Sequence, residues 1–315
     1  MLARVANNLF WMGRYIERSE HIARYMNVNY FSSLDAPNIK SQDRQFVLRS
    51  MLFMLGDPEK DDAKILKEED VLFSIGLDID NPFSIISTVK LARENANSAR
   101  ALISTELYEA INKFYHFVLN YPKGVFVKNG LHDFTSNVAE MTAILRGKIR
   151  GTLLHDSVYA IIMMGINIER ATQITRMINS KYNDALLSQG TYGDKFSKSF
   201  EWTTLLKCAE SYDMMRRFYK KTPTSISTLE FLILNPNCPR SVMNSLNQFN
   251  EHVRMLNPEK RYDKESTRFL IGRVRAEYEF KYIEEIEDDI KAFIENILDS
   301  LVKISDKVDE EFFNY

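Results

Sequence analysis

The sequence predicts an all-α protein, a bundle of about ten helices built from two related halves, and three observations carry that prediction. Apolar residues recur at steps of three and four over long stretches, beginning with Leu2, Val5, Leu9, Met12, Ile16, Ala23 and Met26. No stretch shows the strict alternation and hairpin turns of strands. The segment LFWMGRYIERSEHIARYMN (9–27) returns as IIMMGINIERATQITRMIN (161–179), identical at eight of nineteen positions without a gap. Those positions include Gly13 with Gly165, Glu17 with Glu169, Arg18 with Arg170 and Arg24 with Arg176, the pattern of an internal duplication.

The apolar stripe predicts a first helix starting almost at Met1. Its period fades after Asn27, and Asp35, Pro37 and Asn38 suggest a loop over 27–42. A helix then starts near Asp43 and stops at Gly56-Asp57-Pro58, because glycine ends a helix and proline cannot continue it. A charged piece (59–70) leads into VLFSIGLDID, and Asn81-Pro82 reads as a helix start, since proline lacks only a donor that the first turn leaves unused. The absence of proline over 83–120 predicts one long helix. Pro122, Gly124 and Gly130 break the chain, Asp133 is a candidate cap for the next helix, and Gly147 and Gly151 weaken that helix's end.

From Asp156 the pattern begins again, inside an interval from Lys123 to Thr222 that contains no proline. Residues 189–194 read as a break and 202–221 as a helix. The start Cys238-Pro239-Arg240-Ser241-Val242 parallels Asn81-Pro82-Phe83-Ser84-Ile85 at an offset of 157, against 152 for the first helices. The expected organisation is one domain over 1–315, with an internal repeat of about 1–150 and 153–315. Two stretches rich in Glu and Lys, 263–282 and 283–313, close the chain as helices.

Composition excludes several function classes. A 315-residue chain with 45% apolar residues can bury a sizeable core, and 41 Lys and Arg against 43 Asp and Glu give no electrostatic basis for nucleic-acid binding. Two cysteines, Cys208 and Cys238, are too few for a disulfide framework or zinc site and suit a reducing compartment as buried thiols. No apolar run is long enough to span a membrane, so the expected setting is cytoplasmic. None of the five histidines has Glu three residues before it, which disfavours a di-iron bundle. Phosphate loops, dinucleotide fingerprints and nucleophile elbows are also missing, so neither a metal nor a cofactor is expected.

The candidate site is the duplicated charged set. Phe10, Gly13, Glu17, Glu20 and Arg24 share one face of the first helix, and a glycine in both copies suggests close approach of a neighbouring helix. On a structural account Glu17, Arg18, Glu169 and Arg170 cross-pair as a buried ion network that fixes register. On a binding account Arg14, Arg18, Glu169 and Arg170 line a polar cleft that clamps a carboxylate or phosphate, and Glu17 binds an amine or moves a proton as the catalytic residue. Arg93 and Arg100 share a face with Ala96 on a later helix, and Arg240 follows Pro239 at a helix start, where backbone N–H groups favour an anion. For Arg93 and Arg100 the alternative is a solvated helix face, and for Arg240 a surface arginine beside a plain cap.

The opening, MLARVANNLFWMGRYIER, resembles the bacterial Alpha-E domain family. Residues 92–100, Gly165-x-x-x-Glu169-Arg170, residues 202–219 and Pro239-Arg240-Ser241 support the resemblance over nearly the whole chain. It departs at Ile166, where the family tends to carry arginine. The resemblance implies a mainly helical fold and association with ATP-grasp ligases and transglutaminase-like cysteine peptidases, in systems that form or modify peptide or amide bonds. It implies an accessory protein that binds a peptide, an amino acid or the ligase, which would supply the ATP machinery this chain lacks. Two alternatives stand beside it: an amide-forming or amide-hydrolysing enzyme using Glu17 with Arg14 or Arg18, and a purely structural scaffold.

Overall fold

The computed structural model describes residues 1–35, 43–56, 63–187, 194–256, 263–287 and 289–313, and among them the chain is helical with no strand. Two long helices form its centre: α1 (Ala3–Asp35) and α8 (Ser157–Leu187). Around α1 pack α2 (Arg44–Leu55), α4 (Ile85–Ser98) and α7 (Leu131–Thr152), with α3 (Glu68–Gly76) against α2 and α4, and α5 (Thr105–Leu119) behind α4 and α7. The short α6 (Lys123–Val125) and a π-helical turn, Phe126–Gly130, lead into α7. Around α8 pack α9 (Asp194–Cys208), α12 (Val242–Leu256) and α15 (Ile290–Val308). Behind these, α13 (Thr267–Glu279) lies on α12 and α15, α10 (Tyr212–Tyr219) and α11 (Ser225–Ile233) lie on α9, and the short α14 (Glu284–Glu287) meets α15.

The sheathing explains the burial. Leu9, Met12, Ile16 and Ala23 of α1, and Ile162, Met164, Ile166, Ile174 and Met177 of α8, are wholly enclosed. A helix that is apolar on most of its circumference sits inside a bundle rather than on its surface.

The helices outnumber the ten or so expected, because two predicted helices are each divided and because α3, α6 and α11 form where no helix was predicted. The run over 83–120 becomes α4 and α5, joined by a 3₁₀ turn, Arg100–Leu102. Ser104 caps α5 by accepting from the Leu107 N–H at 3.1 Å. The run over 202–221 becomes α9 and α10. Glu210 takes a left-handed backbone (φ 53°) there, and the Ser211 N–H turns back to the Leu206 carbonyl at 2.8 Å. No glycine marks that break, so local propensity gave no sign of it.

Other boundaries moved for similar reasons. α1 runs on to Asp35 rather than fading at Asn27, because Asn29, Ser32 and Ser33 beyond it still face the interior. The helices after Pro82 and Pro239 begin three residues later than the prolines suggest, after a capping serine in each: Ser84 accepts from the Ser87 N–H (3.2 Å) and Ser241 from the Asn244 N–H (2.9 Å). Asp133 lies inside the first turn of α7 instead of capping it. Asp43 does cap α2, and Gly56 (φ 89°) ends it. The break expected over 189–194 lies, up to residue 193, outside the described residues, as do residues 59–62 of the charged piece before Glu68.

Candidate functional site

The site begins where α1 crosses α8. Contacts advance in step along both helices, from Gly13 beside Ile162, through Glu17 on Arg170, to the Tyr25 hydroxyl on Ser180 at 2.9 Å, so the two run in the same direction. A Cβ on Gly13 would fall on the Ile162 carbonyl oxygen, and one on Gly165 on the Phe10 carbonyl oxygen. The approach is reciprocal, each glycine facing the carbonyl three residues before the other. Only a residue without Cβ admits a backbone this close.

One turn later the charged pairs cross the gap. Arg170 donates from Nε to Glu17 Oε1 at 2.6 Å and from Nη2 to Oε2 at 3.1 Å; Arg18 makes the same two bonds to Glu169 at the same two distances. Such two-pronged pairs fix orientation as well as charge. Each carboxylate also accepts from the residue four places on, Glu17 from His21 Nε2 (3.1 Å) and Glu169 from Gln173 Nε2 (2.8 Å). Glu17 and Glu169 have no exposed surface, whereas the Arg18 and Arg170 side chains keep 18% and 11% of theirs.

The Glu-Arg pair that organises this crossing also decides the family. A model for Alpha-E, described as a predicted alpha-helical domain with a conserved ER motif, matches residues 1–313. The chain belongs to the Alpha-E family. No curated protein and no solved structure matches it.

In this Alpha-E chain the two Glu-Arg pairs have different surroundings. On the Glu169 side Arg14 donates from Nε to Glu169 Oε2 (2.8 Å) and from Nη1 to Ser305 of α15 (2.8 Å), with its guanidinium stacked 4.4 Å over Trp11. On the Glu17 side a second buried carboxylate, Glu20, pairs with Arg24, Arg146 of α7 and Arg240. Arg240 bridges Glu20 (2.9 Å), Glu17 (3.4 Å) and the exposed Glu210 (2.5 Å). The left-handed turn at Glu210 brings that carboxylate onto Arg240 and Arg24.

Of the residues singled out in the sequence, the structure gathers Arg14, Glu17, Arg18, Glu169, Arg170 and Arg240. Arg240 does not offer a helix start to an outside anion; it is turned onto the Alpha-E chain's own glutamates. Arg93 and Arg100 are not brought to the cluster. Arg93 donates to Asn112 at 2.7 Å and stacks over Tyr115, and Arg100 holds the Ile103 carbonyl and the Thr105 hydroxyl and stacks over Tyr108. Both arginines tie α4 and the following turn to α5. Glu20 and Arg24 were legible as neighbours of Glu17 on one face, whereas nothing local to Arg146 or Glu210 marked them. Among the described residues no group of three or more His, Cys, Asp or Glu could hold a metal ion, and Cys208 and Cys238 are buried free thiols.

Burial by itself would push the Glu17 carboxyl up; Arg170, His21 and Arg240 outweigh it and hold the carboxyl well below its ordinary range. Burial likewise opposes ionisation of Glu169, and Arg18 with Arg14 overcomes it; for Glu20, Arg240 and Arg24 do the same. Burial depresses His21 more than Glu17 restores it, so the imidazole is neutral near pH 7. Its Nδ1 is buried without a hydrogen-bond partner.

These directions set an acid limit on stability. A carboxyl depressed in the fold contributes fully above its unfolded value of about 4.3 and progressively less as pH falls below it; a depressed histidine does the same from about 6.5 downward. Thermal melts across the pH range should therefore show a shallow decline below about pH 6.5 and a steep one below about pH 4.3. Glu169→Gln should partly flatten the steep limb, and an unchanged limb in that variant would remove Glu169 from its causes.

Proposed function

We propose that this Alpha-E chain is a non-catalytic accessory protein of the cytoplasm. It binds a peptide, an amino acid or a partner ligase at the arginine-faced side of the cluster. The system it serves forms or modifies peptide or amide bonds, with an ATP-grasp ligase and a transglutaminase-like protein as its partners. The observation that carries the binding role is the layering of charge: the carboxylates of Glu17, Glu20 and Glu169 are dry and held ionised, while the side chains of Arg14, Arg18 and Arg146 around them keep 12%, 18% and 22% of their surface. Guanidiniums presented in this way recognise carboxylates.

The same layering weighs against Glu17 as an acid or base. A general acid or base works best with a pKa near the operating pH, which for Glu requires an upward shift, whereas Arg170, His21 and Arg240 hold Glu17 down. The scaffold alternative draws on the complete enclosure of Glu17 and Glu169, and it predicts that nothing binds. Affinity capture with the intact chain, with and without ATP, is expected to retain the ATP-grasp ligase. Capture, measured well below the melting temperature, should weaken in Arg18→Gln, which also loses stability because the buried Glu169 gives up two of its hydrogen bonds. Failure to form any complex across nucleotide and peptide conditions overturns the accessory role, and amide-bond turnover by the purified chain alone overturns the non-catalytic one.

A further inference from the structure

The two central helices carry the same motif with different charge balance, and the difference points to a ligand. On α1, Arg24 pairs with Glu20 one turn before it and with Glu210. At the offset of 152, its counterpart on α8 is Arg176, and the counterpart of Glu20 is Thr172. The Thr172 hydroxyl donates to its own helix, at the Ile168 carbonyl (2.8 Å), and offers Arg176 no charge. Arg176 is partly buried, lies within electrostatic reach of Glu169, Arg18 and Arg14, and makes no hydrogen bond or ion pair among the described residues. Its nitrogens reach solvent, unlike Arg24 Nη1, which is sealed.

Other donors beside it are also uncommitted. Arg18 spends Nε and Nη2 on Glu169, and Arg14 spends Nε on Glu169 and Nη1 on Ser305, which leaves Arg18 Nη1 and Arg14 Nη2. Tyr15 lies beneath Arg18 and within electrostatic reach of Arg14, and burial keeps its hydroxyl protonated and able to donate. Three guanidiniums here face Glu169 and, within reach of Tyr15, the exposed Glu94. The surplus is a single positive charge. That favours a monoanion with two acceptor oxygens, which balances the three guanidiniums, over a phosphate dianion, which would add a fourth negative charge against them.

We propose that Arg176, with Arg18 and Arg14, binds the free carboxylate of a peptide or amino acid. On α8 the ligand's carboxylate takes the place that the Glu20 carboxylate takes on α1. The ion pairs of Glu17 and Glu20 stay internal and structural, and the Glu169 side is the ligand side. This assignment rests on the binding role proposed above and names its ligand and its half of the repeat.

Calorimetric titration of the intact chain with N-acetyl-dialanine, its C-terminal amide and inorganic phosphate tests it. The free acid should bind saturably, and the amide at least about tenfold more weakly, because it loses the charge-assisted pairs. Arg176→Gln should abolish binding of the acid without lowering the melting temperature, since no internal pair is broken. Thr172→Glu should raise the melting temperature and close the site by supplying the carboxylate from within. Equal affinity for acid and amide, no saturable binding of the acid, or wild-type binding in Arg176→Gln overturns the site. Phosphate binding more tightly than the acid overturns the carboxylate assignment. Should Thr172→Glu fail to fold, Arg176→Gln alone decides. Ligase capture with no binding of the acid removes this site and leaves the accessory role standing.

Discussion

Glu17→Ala is expected to cost about 3–5 kcal/mol of folding stability, the usual scale for removing one partner of a buried ion pair. The loss comes less from the bonds that vanish than from the charges left behind. Arg170 would lose both of its hydrogen bonds, Arg146 and Arg240 would each lose one of their carboxylates, and His21 Nε2 would have nothing to donate to. Denaturant titration by circular dichroism gives the figure. Glu17→Gln retains the shape and an acceptor oxygen, so it should fall between wild type and alanine. Glu20→Ala should be similarly severe because it strands Arg24, Arg146 and Arg240 together. Wild-type stability in Glu17→Ala would mean that water replaces the carboxylate readily, and the dry account of the crossing would fail. Loss of ligase capture in Glu17→Gln at near-native stability would extend the binding role to this half of the cluster.

Gly165→Ala is expected to be comparably damaging, at about 3 kcal/mol, the upper end of overpacking costs. The added methyl would fall on the Phe10 carbonyl oxygen, come within 3.0 Å of the Phe10 carbonyl carbon and stand 3.3 Å from the Arg14 nitrogen. These are backbone atoms of a helix and cannot rotate aside, so α1 and α8 must separate. Separation also stretches the Glu17–Arg170 and Glu169–Arg18 pairs one turn away. Gly13→Ala meets the Ile162 carbonyl in the same way, with the Ile166 nitrogen at 3.2 Å. The double variant should cost less than the sum, since the first methyl already opens the crossing that the second would clash with. Gly147→Ala and Gly151→Ala serve as controls. Apart from its chain neighbours and its own helix's backbone, nothing lies within 4 Å of a Cβ at either place, and alanine there should stabilise α7 by roughly 0.5–1 kcal/mol. A Gly165→Ala melt equal to that of Gly147→Ala would show that the helix pair relaxes freely.

The sequence alone determined the helical class, the central helices and the charged motif. Each is written in local periodicity: apolar steps of three and four define α1, and the return of Gly, Glu and Arg at one offset identifies α8 as its relative. The glycines also foretold close approach, since a helix accepts the conformational cost of glycine where a neighbour's backbone must come near. Only the tertiary structure decided the environment of those charges. Whether Glu17 is dry or wet depends on α7, α12 and the turn after α9, which bring Arg146, Arg240 and Glu210 from 129, 223 and 193 residues away. No local pattern encodes such distances. The break at Glu210 was illegible for the same reason, because its left-handed backbone is held by long-range pairs with Arg240 and Arg24 and not by a glycine. Arg93 and Arg100 had the spacing of a site but spend their hydrogen bonds on α5 and the turn before it. Spacing along a helix fixes which side chains share a face, and it is the packing of other helices that decides whether that face meets charge, aromatic rings or water.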